Sequence, residues 1–227
     1  MTRLFPTWRG RRRWTVLALC AVLAALPVAD RVAAGVAEGR IADRVAAVNT
    51  AVVGTPQVRI DGFPFLVDAA RGTFPQVSVR ADAVASEEQP VSAAIELHTV
   101  TEKAGTYTAA SADGQFTVPL DSLGGGSGGA ASLSADEDGR LRIEGVRGLP
   151  LTVTAELRLT GRTITAVPVS ASFAGRPLDP SAPRIARAFA ERDRVVPDLP
   201  AGLSPTEVTV GESGVTVHAR GEDVRLG

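Results

Sequence analysis

Apolar and polar residues alternate along most of the chain beyond residue 56, which is the pattern of strands that bury one face. In residues 74–84, Val77 and Val79 fall on one face, and Ser78 and Arg80 fall on the other. Because short turns separate such runs, we predict antiparallel pairing in an α+β fold dominated by strands. The other predicted strands are residues 57–60, 91–100, 106–110, 116–118, 140–146, 151–160, 164–173, and a final hairpin of 207–210 with 215–219.

Helical spacing of apolar residues is confined to a few segments. Residues 30–53 place valine and isoleucine on one side at spacings of three to five, and charged residues occupy much of the remainder. This helix would lead directly away from the apolar segment that precedes it. Shorter helices are predicted at residues 67–70 and 183–194. Residues 123–131 are rich in glycine, which predicts a flexible loop.

The N-terminal segment has the pattern of an export signal. Arg9 and the three arginines at residues 11–13 immediately precede residues 14–29, a run without a charged side chain. The run is short for a spanning helix, which needs about 20 residues, and no clean cleavage site ends it. A cleaved signal peptide and a retained signal-anchor with its arginines inside therefore both stay open for residues 1–29. We expect residues 30–227 to form one domain in the cell envelope, anchored or secreted, on the extracytoplasmic side of the plasma membrane.

Several kinds of chemistry are disfavoured by the composition. The formal net charge is −1 and no basic stripe follows the N-terminus, so we expect no nucleic-acid partner. Cys20 is the only cysteine, which excludes a disulfide within the domain. His98 and His218 stand in strand patterns without partner ligands, so no metal site is predicted. No G-x-S-x-G or H-E-x-x-H motif occurs; we expect no enzyme and no cofactor, although separated carboxylates could still meet in space.

An aromatic pair lies in a predicted turn at residues 62–66. Phe63 and Phe65 flank Pro64, although aromatic residues make up only 4% of the chain. Two interpretations stay open. The pair could form an apolar lip for a lipid or for the membrane interface, or two aromatic plugs could pin the turn to the core.

The sequence resembles a known family at these residues. VRIDGFPFL at residues 58–66, GTFPQVSVRA at 72–81, and LPAGL at 199–203 leading to GVTV at 214–217 are similar to the LmeA-type phospholipid-binding proteins of actinobacteria. The resemblance implies a cell-envelope protein that binds phospholipids, in a family linked to mannan elongation of lipomannan and lipoarabinomannan. It also implies a fold similar to tubular lipid-binding domains, with a long curled sheet around an N-terminal helix.

We therefore expect non-catalytic phospholipid binding, with acyl chains in a groove between the curled sheet and the helix at residues 30–53. The expected partners are phospholipid, the membrane and enzymes of envelope glycolipid synthesis. The alternative is a membrane-anchored scaffold or interaction domain with a solid core and no lipid ligand. Headgroup candidates are Arg59, Arg71 and Arg80, because arginine can bind phosphate in a bidentate manner. The candidate lining residues are Val48, Val52, Phe63, Phe65, Leu66, Phe74 and Val77.

Overall fold

The computed structural model of the chain describes residues 8–48, 52–84, 89–123, 131–145, 149–183, 185, 189 and 193–226, with side chains from residue 25 onward except that of Val48. The helices are α1 (Trp8–Val48), α2 (Phe65–Arg71) and α3 (Leu120–Leu123). The strands are β1 (Val52–Asp61), β2 (Thr73–Val84), β3 (Pro90–Lys103), β4 (Thr106–Val118), β5 (Ser132–Ala135), β6 (Leu141–Glu144), β7 (Leu151–Thr160), β8 (Thr163–Phe173), β9 (Arg176–Leu178), β10 (Arg194–Val195), β11 (Ser204–Gly211) and β12 (Gly214–Leu226).

The strands form two open antiparallel sheets. The first has the order β1-β2-β3-β4-β12-β11, and the second has the order β10-β8-β7-β6-β5, with β9 paired to β8. Strands contain more than half of the described residues, which confirms the strand-dominated α+β prediction. The prediction of one long sheet differs in detail, because the strands are divided between two sheets. Neither sheet closes on itself.

The long helix α1 ends earlier than the periodicity predicted. It stops at Val48, and Val52 already belongs to β1, so the predicted helix over residues 30–53 extends too far. Val52 and Val53 are β-branched and favour a strand, and Pro56 lacks the N–H that a helix needs. The helix also begins earlier than residue 30, since Trp8–Val48 is continuous through Pro27.

Most predicted strands are confirmed, with a few corrections. Residues 106–110 and 116–118 are parts of one strand, β4, and the strands β5, β9 and β10 were not predicted. The predicted strand at 140–146 is observed over Leu141–Glu144, and its last residue lies outside the described residues. The glycines of the predicted loop at 123–131 also lie outside them.

Of the two predicted short helices, the first is confirmed and the second is observed only in part. Helix α2 contains the predicted residues 67–70 and extends the helix at both ends. In the predicted helix at 183–194, Pro183, Ile185 and Phe189 are helical, but Arg194 pairs with Ile164 in β10. The other residues of that prediction, apart from residue 193, lie outside the described part of the chain.

Each sheet contributes its own hydrophobic core. The apolar face of the first sheet, here called the inner face, packs with Ala34 of α1, Phe65 of α2 and Leu203 before β11. The second core lies on one face of β6, β7 and β8, and Val210 and Val215 of the β11–β12 hairpin join it. This hairpin therefore connects the two cores, because its strands belong to the first sheet and its tip packs on the second.

Candidate functional site

Helix α1 covers the free edge of the first sheet. Strand β1 is the outermost strand, and its Ile60 N–H donates a hydrogen bond to the Glu38 carboxylate at 2.9 Å. Ala34 and Ala42 of α1 are buried, so the helix approaches closely through small side chains. The contact satisfies a backbone donor that an edge strand would otherwise expose to strand pairing with another chain.

A buried carboxylate joins α1 to α2. Asp30 is 3% exposed, and its two carboxylate oxygens accept hydrogen bonds from the backbone N–H groups of Phe65 at 3.0 Å and Leu66 at 2.9 Å. These hydrogen bonds, chiefly the one from Leu66, hold the pKa of the Asp30 carboxyl below its usual value and outweigh the effect of burial. Pro64, at the start of α2, provides no side-chain cap, so Asp30 caps the helix from a distance.

The two phenylalanines of the 62–66 turn point into different environments. Phe65 is 7% exposed and stacks on Phe74 with 6.0 Å between ring centroids. Phe63 is 68% exposed, and Leu66 and Val67 beside it are 48% and 39% exposed. Phe65 therefore packs into the core, as the interpretation of a pinned turn predicts, whereas Phe63 does not. We call Phe63, Leu66 and Val67 the lip.

Arg31 holds the lip in place. Its Nη2 donates a hydrogen bond to the Gly62 carbonyl oxygen at 2.6 Å and another to Asp30 at 3.1 Å. The guanidinium carbon lies 5.8 Å from the centroid of the Phe63 ring, within cation–π range. Neither Asp30 nor Arg31 was predicted as a site residue. Their partners lie more than 30 positions away in the sequence, and no local pattern reports such a contact.

A second apolar surface lies on the inner face of the first sheet. Val58 pairs with Val79, which pairs with Ile95, and Ala81 pairs with Ala93. All five side chains are half-buried. We call these five residues the strip. The neighbouring row of Ile60, Val77 and Leu97 is fully buried, so the packing loosens from the row to the strip.

The predicted lining residues do not share one surface. Phe65 and Val77 lie in the core, Val52 and Phe74 are half-buried, and Phe63 and Leu66 are exposed. The side chain of Val48 lies outside the described residues. Two shallow depressions, of about 530 Å³ and 550 Å³, are lined by other residues, and neither includes a predicted lining residue.

The predicted headgroup arginines are also separated. Arg59 and Arg80 lie on the outer face of the first sheet, because their neighbours Val58 and Val79 point inward. Arg71 is exposed in the last turn of α2, on the same short helix as Leu66 of the lip.

The two histidines are on the outer face of the first sheet. His98 Nε2 lies 3.5 Å from an Asp113 carboxylate oxygen, and Arg220 Nε donates to the other oxygen at 3.0 Å. His218 Nε2 is 3.2 Å from the Thr209 hydroxyl. Among the residues that the structure describes, no three potential His, Cys, Asp or Glu ligands come together, and no helix is long and apolar enough to cross a membrane.

An antiparallel α+β domain that presents a fixed apolar lip beside an arginine has the features of a lipid-binding protein. Residues 28–220 match the family described as LmeA-like phospholipid-binding, and the chain belongs to this family. The matched segment contains Asp30, Arg31 and the lip. The family supports a lipid-binding role for the chain and suggests that this role is non-catalytic. No curated protein and no solved structure matches the chain.

Proposed function

We propose that the chain binds phospholipids without catalysis at the extracytoplasmic face of a membrane. In this proposal the lip contacts the bilayer and the strip accommodates an acyl chain. The cell envelope is the proposed location, and support of lipoglycan or envelope-lipid metabolism, together with the enzymes of that synthesis, is the proposed context.

The observation that carries the proposal is the exposure of Phe63 on a turn whose backbone is held by α1. Asp30 and Arg31 accept from or donate to the backbone of the turn, and the turn exposes the side chains of Phe63, Leu66 and Val67. Three large apolar side chains exposed within five residues suit a contact with another apolar phase. Cationic and aromatic side chains together suit a membrane interface, where the ring enters the apolar layer and the charge stays at headgroup level.

The strip supports the acyl-chain part of the proposal. Its side chains are aliphatic and small, and each is half-buried, so a flexible chain can cover them without disturbing the fully buried row. Each methylene removed from water contributes about 0.8 kcal/mol. About a dozen methylenes of an acyl chain that cover the strip would therefore give the protein affinity for the lipid without any polar contact.

The position of the lip agrees with membrane attachment. Asp30 follows directly after the apolar run at residues 14–29, and α1 continues through both. The lip is fastened to α1 at this point, so it lies where the run and the domain meet. If the run is anchored in the membrane, the lip is at the bilayer surface.

A membrane-anchored interaction domain without a lipid ligand is the second candidate function. The row of Ile60, Val77 and Leu97 favours it, because this part of the inner face is already packed and leaves no room for a ligand. Under this alternative the strip would be the rim of a solid core, and the lip would contact either the membrane or a protein.

Photo-crosslinking of the full chain in phospholipid vesicles tests both candidates. A diazirine amino acid is placed at Leu66, at Ile95 or, as a control, at Val195, which is 69% exposed on β10 of the other sheet. We expect lipid adducts from Leu66 and Ile95 and few from Val195. Adducts from Leu66 alone would favour the interaction domain. Equal yields at Leu66 and Val195 would refute the membrane contact of the lip.

A further inference from the structure

Arg31 has hydrogen-bonding capacity that the fold does not use. Both of its hydrogen bonds, to Gly62 and Asp30, come from Nη2. Among the described residues, Nε and Nη1 donate to no protein acceptor, and the side chain is 51% exposed. These two nitrogens do not form a parallel pair, because both bidentate edges of a guanidinium include Nη2, but each can donate a separate charge-assisted hydrogen bond to an oxyanion.

We infer that Arg31 binds the phosphate of a phospholipid whose acyl chains contact the lip, an inference that rests on the proposed function. The Phe63 ring lies under the guanidinium, so a lipid that covers Phe63 brings its phosphate to the height of Arg31. Arginine is suited to this position because its N–H groups donate charge-assisted hydrogen bonds to phosphate oxygens and it remains charged at a membrane surface.

The position of Arg31 favours it over Arg59 and Arg80. Arg59 and Arg80 are on the outer face of the first sheet, on the side opposite the strip. The contact with Asp30 uses Nη2 of Arg31, so it does not occupy the donors on Nε and Nη1. The rival interpretation is that Arg31 only fastens the turn. Phosphate is common to all glycerophospholipids, so the inference predicts recognition of the phosphate rather than of the group attached to it.

The test measures which lipid the lip contacts. The full chain carries a diazirine amino acid at Leu66 and is placed in vesicles of equal parts dioleoyl phosphatidylcholine and dioleoyl digalactosylglycerol. The two lipids have the same acyl chains and no net charge, and only the first has a phosphate. We expect phosphatidylcholine adducts to exceed galactolipid adducts about tenfold, the factor that about 1.4 kcal/mol provides.

Variants assign this preference to Arg31. Arg31→Gln should reduce the ratio of phosphatidylcholine to galactolipid adducts to near one while lipid adducts persist. Arg59→Gln, which removes the same charge from β1 on the outer face of the first sheet, should leave the ratio unchanged. Arg31→Lys keeps the charge over Phe63 and should give an intermediate ratio, so it decides the question if Arg31→Gln does not fold.

The test distinguishes failure of the phosphate inference from failure of the proposed function. If the unmodified Arg31 chain forms adducts with both lipids equally, or if Arg31→Gln keeps the preference, the phosphate inference is overturned and lipid binding stands. If Leu66 forms no adducts with either lipid, the proposed function itself fails.

Discussion

Replacement of Phe63 by alanine should release the lip from the membrane and leave the fold intact. A phenylalanine presents roughly 200 Å² of surface, so a ring that is 68% exposed offers about 140 Å² to the bilayer. At about 25 cal/mol per Å², transfer of this area from water contributes about 3.5 kcal/mol. Alanine retains a small part of it, and we expect a loss of about 3 kcal/mol, or roughly a hundredfold in the ratio of docked to undocked lip.

The assay follows the lip in the full chain within vesicles. Cys20, the only cysteine, is replaced by serine, and a cysteine introduced at Val67 carries an environment-sensitive nitrobenzoxadiazole label. Doxyl-labelled phospholipid quenches the label when the lip is in the bilayer. We expect strong quenching with Phe63 present and weak quenching in Phe63→Ala, because the docked population falls with the transfer free energy.

The same substitution elsewhere provides the controls. Phe173→Ala changes a 43% exposed phenylalanine at the end of β8 in the second sheet, and it should leave the quenching unchanged. Phe65→Ala changes the 7% exposed neighbour and should lower the free energy of unfolding by about 3–5 kcal/mol. Quenching that persists in Phe63→Ala, with an unchanged melting temperature, would refute the argument that exposed ring area holds the lip in the bilayer.

Two further predictions concern stability. The pKa of Asp30 is lowered in the folded state, so its carboxylate stabilises the fold above about pH 4 and this contribution disappears as the pH falls through the folded pKa. Asp30→Asn should therefore have a lower melting temperature than the parent chain at pH 7, and the difference in melting temperature should shrink below about pH 4. A difference that stays constant with pH would contradict the role of the charge. Gly214→Ala should destabilise by about 1–3 kcal/mol in urea unfolding, because φ is +144° and a Cβ would overlap the Val118 carbonyl. Gly105→Ala, at φ +81° with no atom within 4 Å, is its control, and an equal loss there would exclude the steric part of the argument.

The sequence was sufficient to predict the longer strands but not the contacts that build the site. Alternation of apolar and polar residues located β2, β3, β7 and β8 because each buries one face only. The short strands β5, β9 and β10 have two to four residues, too few for a period of two to be visible. The lipid-binding role was predicted from the family resemblance, which the matched segment confirms. The alternation of apolar and polar residues predicts strands but carries no information about this role.

The site itself depends on long-range hydrogen bonds that no local pattern encodes. The sequence could not decide whether Phe63 and Phe65 form a lip or a plug, since both are apolar and two residues apart. The structure separates them because α2 begins at Phe65 and turns that ring onto Phe74, and Phe63 remains before the helix. Asp30 and Arg31 looked like solvated charges at the start of a helix, and only the fold places them against the turn.

The location of these contacts bears on the two alternatives for the N-terminal run. Asp30 and Arg31 act from within a continuous helix, where the preceding turn fixes their backbone. Cleavage after residue 29 would make Asp30 the first residue of the domain, in a terminal turn whose N–H groups are unpaired and which frays in solution. The cap on α2 and the support of Phe63 would then depend on the least ordered residues of the helix. A retained run avoids this loss, because it keeps Asp30 and Arg31 in the helix interior. Since each helical residue advances the chain by only about 1.5 Å, the lip then lies close to the end of the apolar run. A signal-anchor would therefore keep the support of the lip in the helix interior, whereas cleavage after residue 29 would place it in the terminal turn.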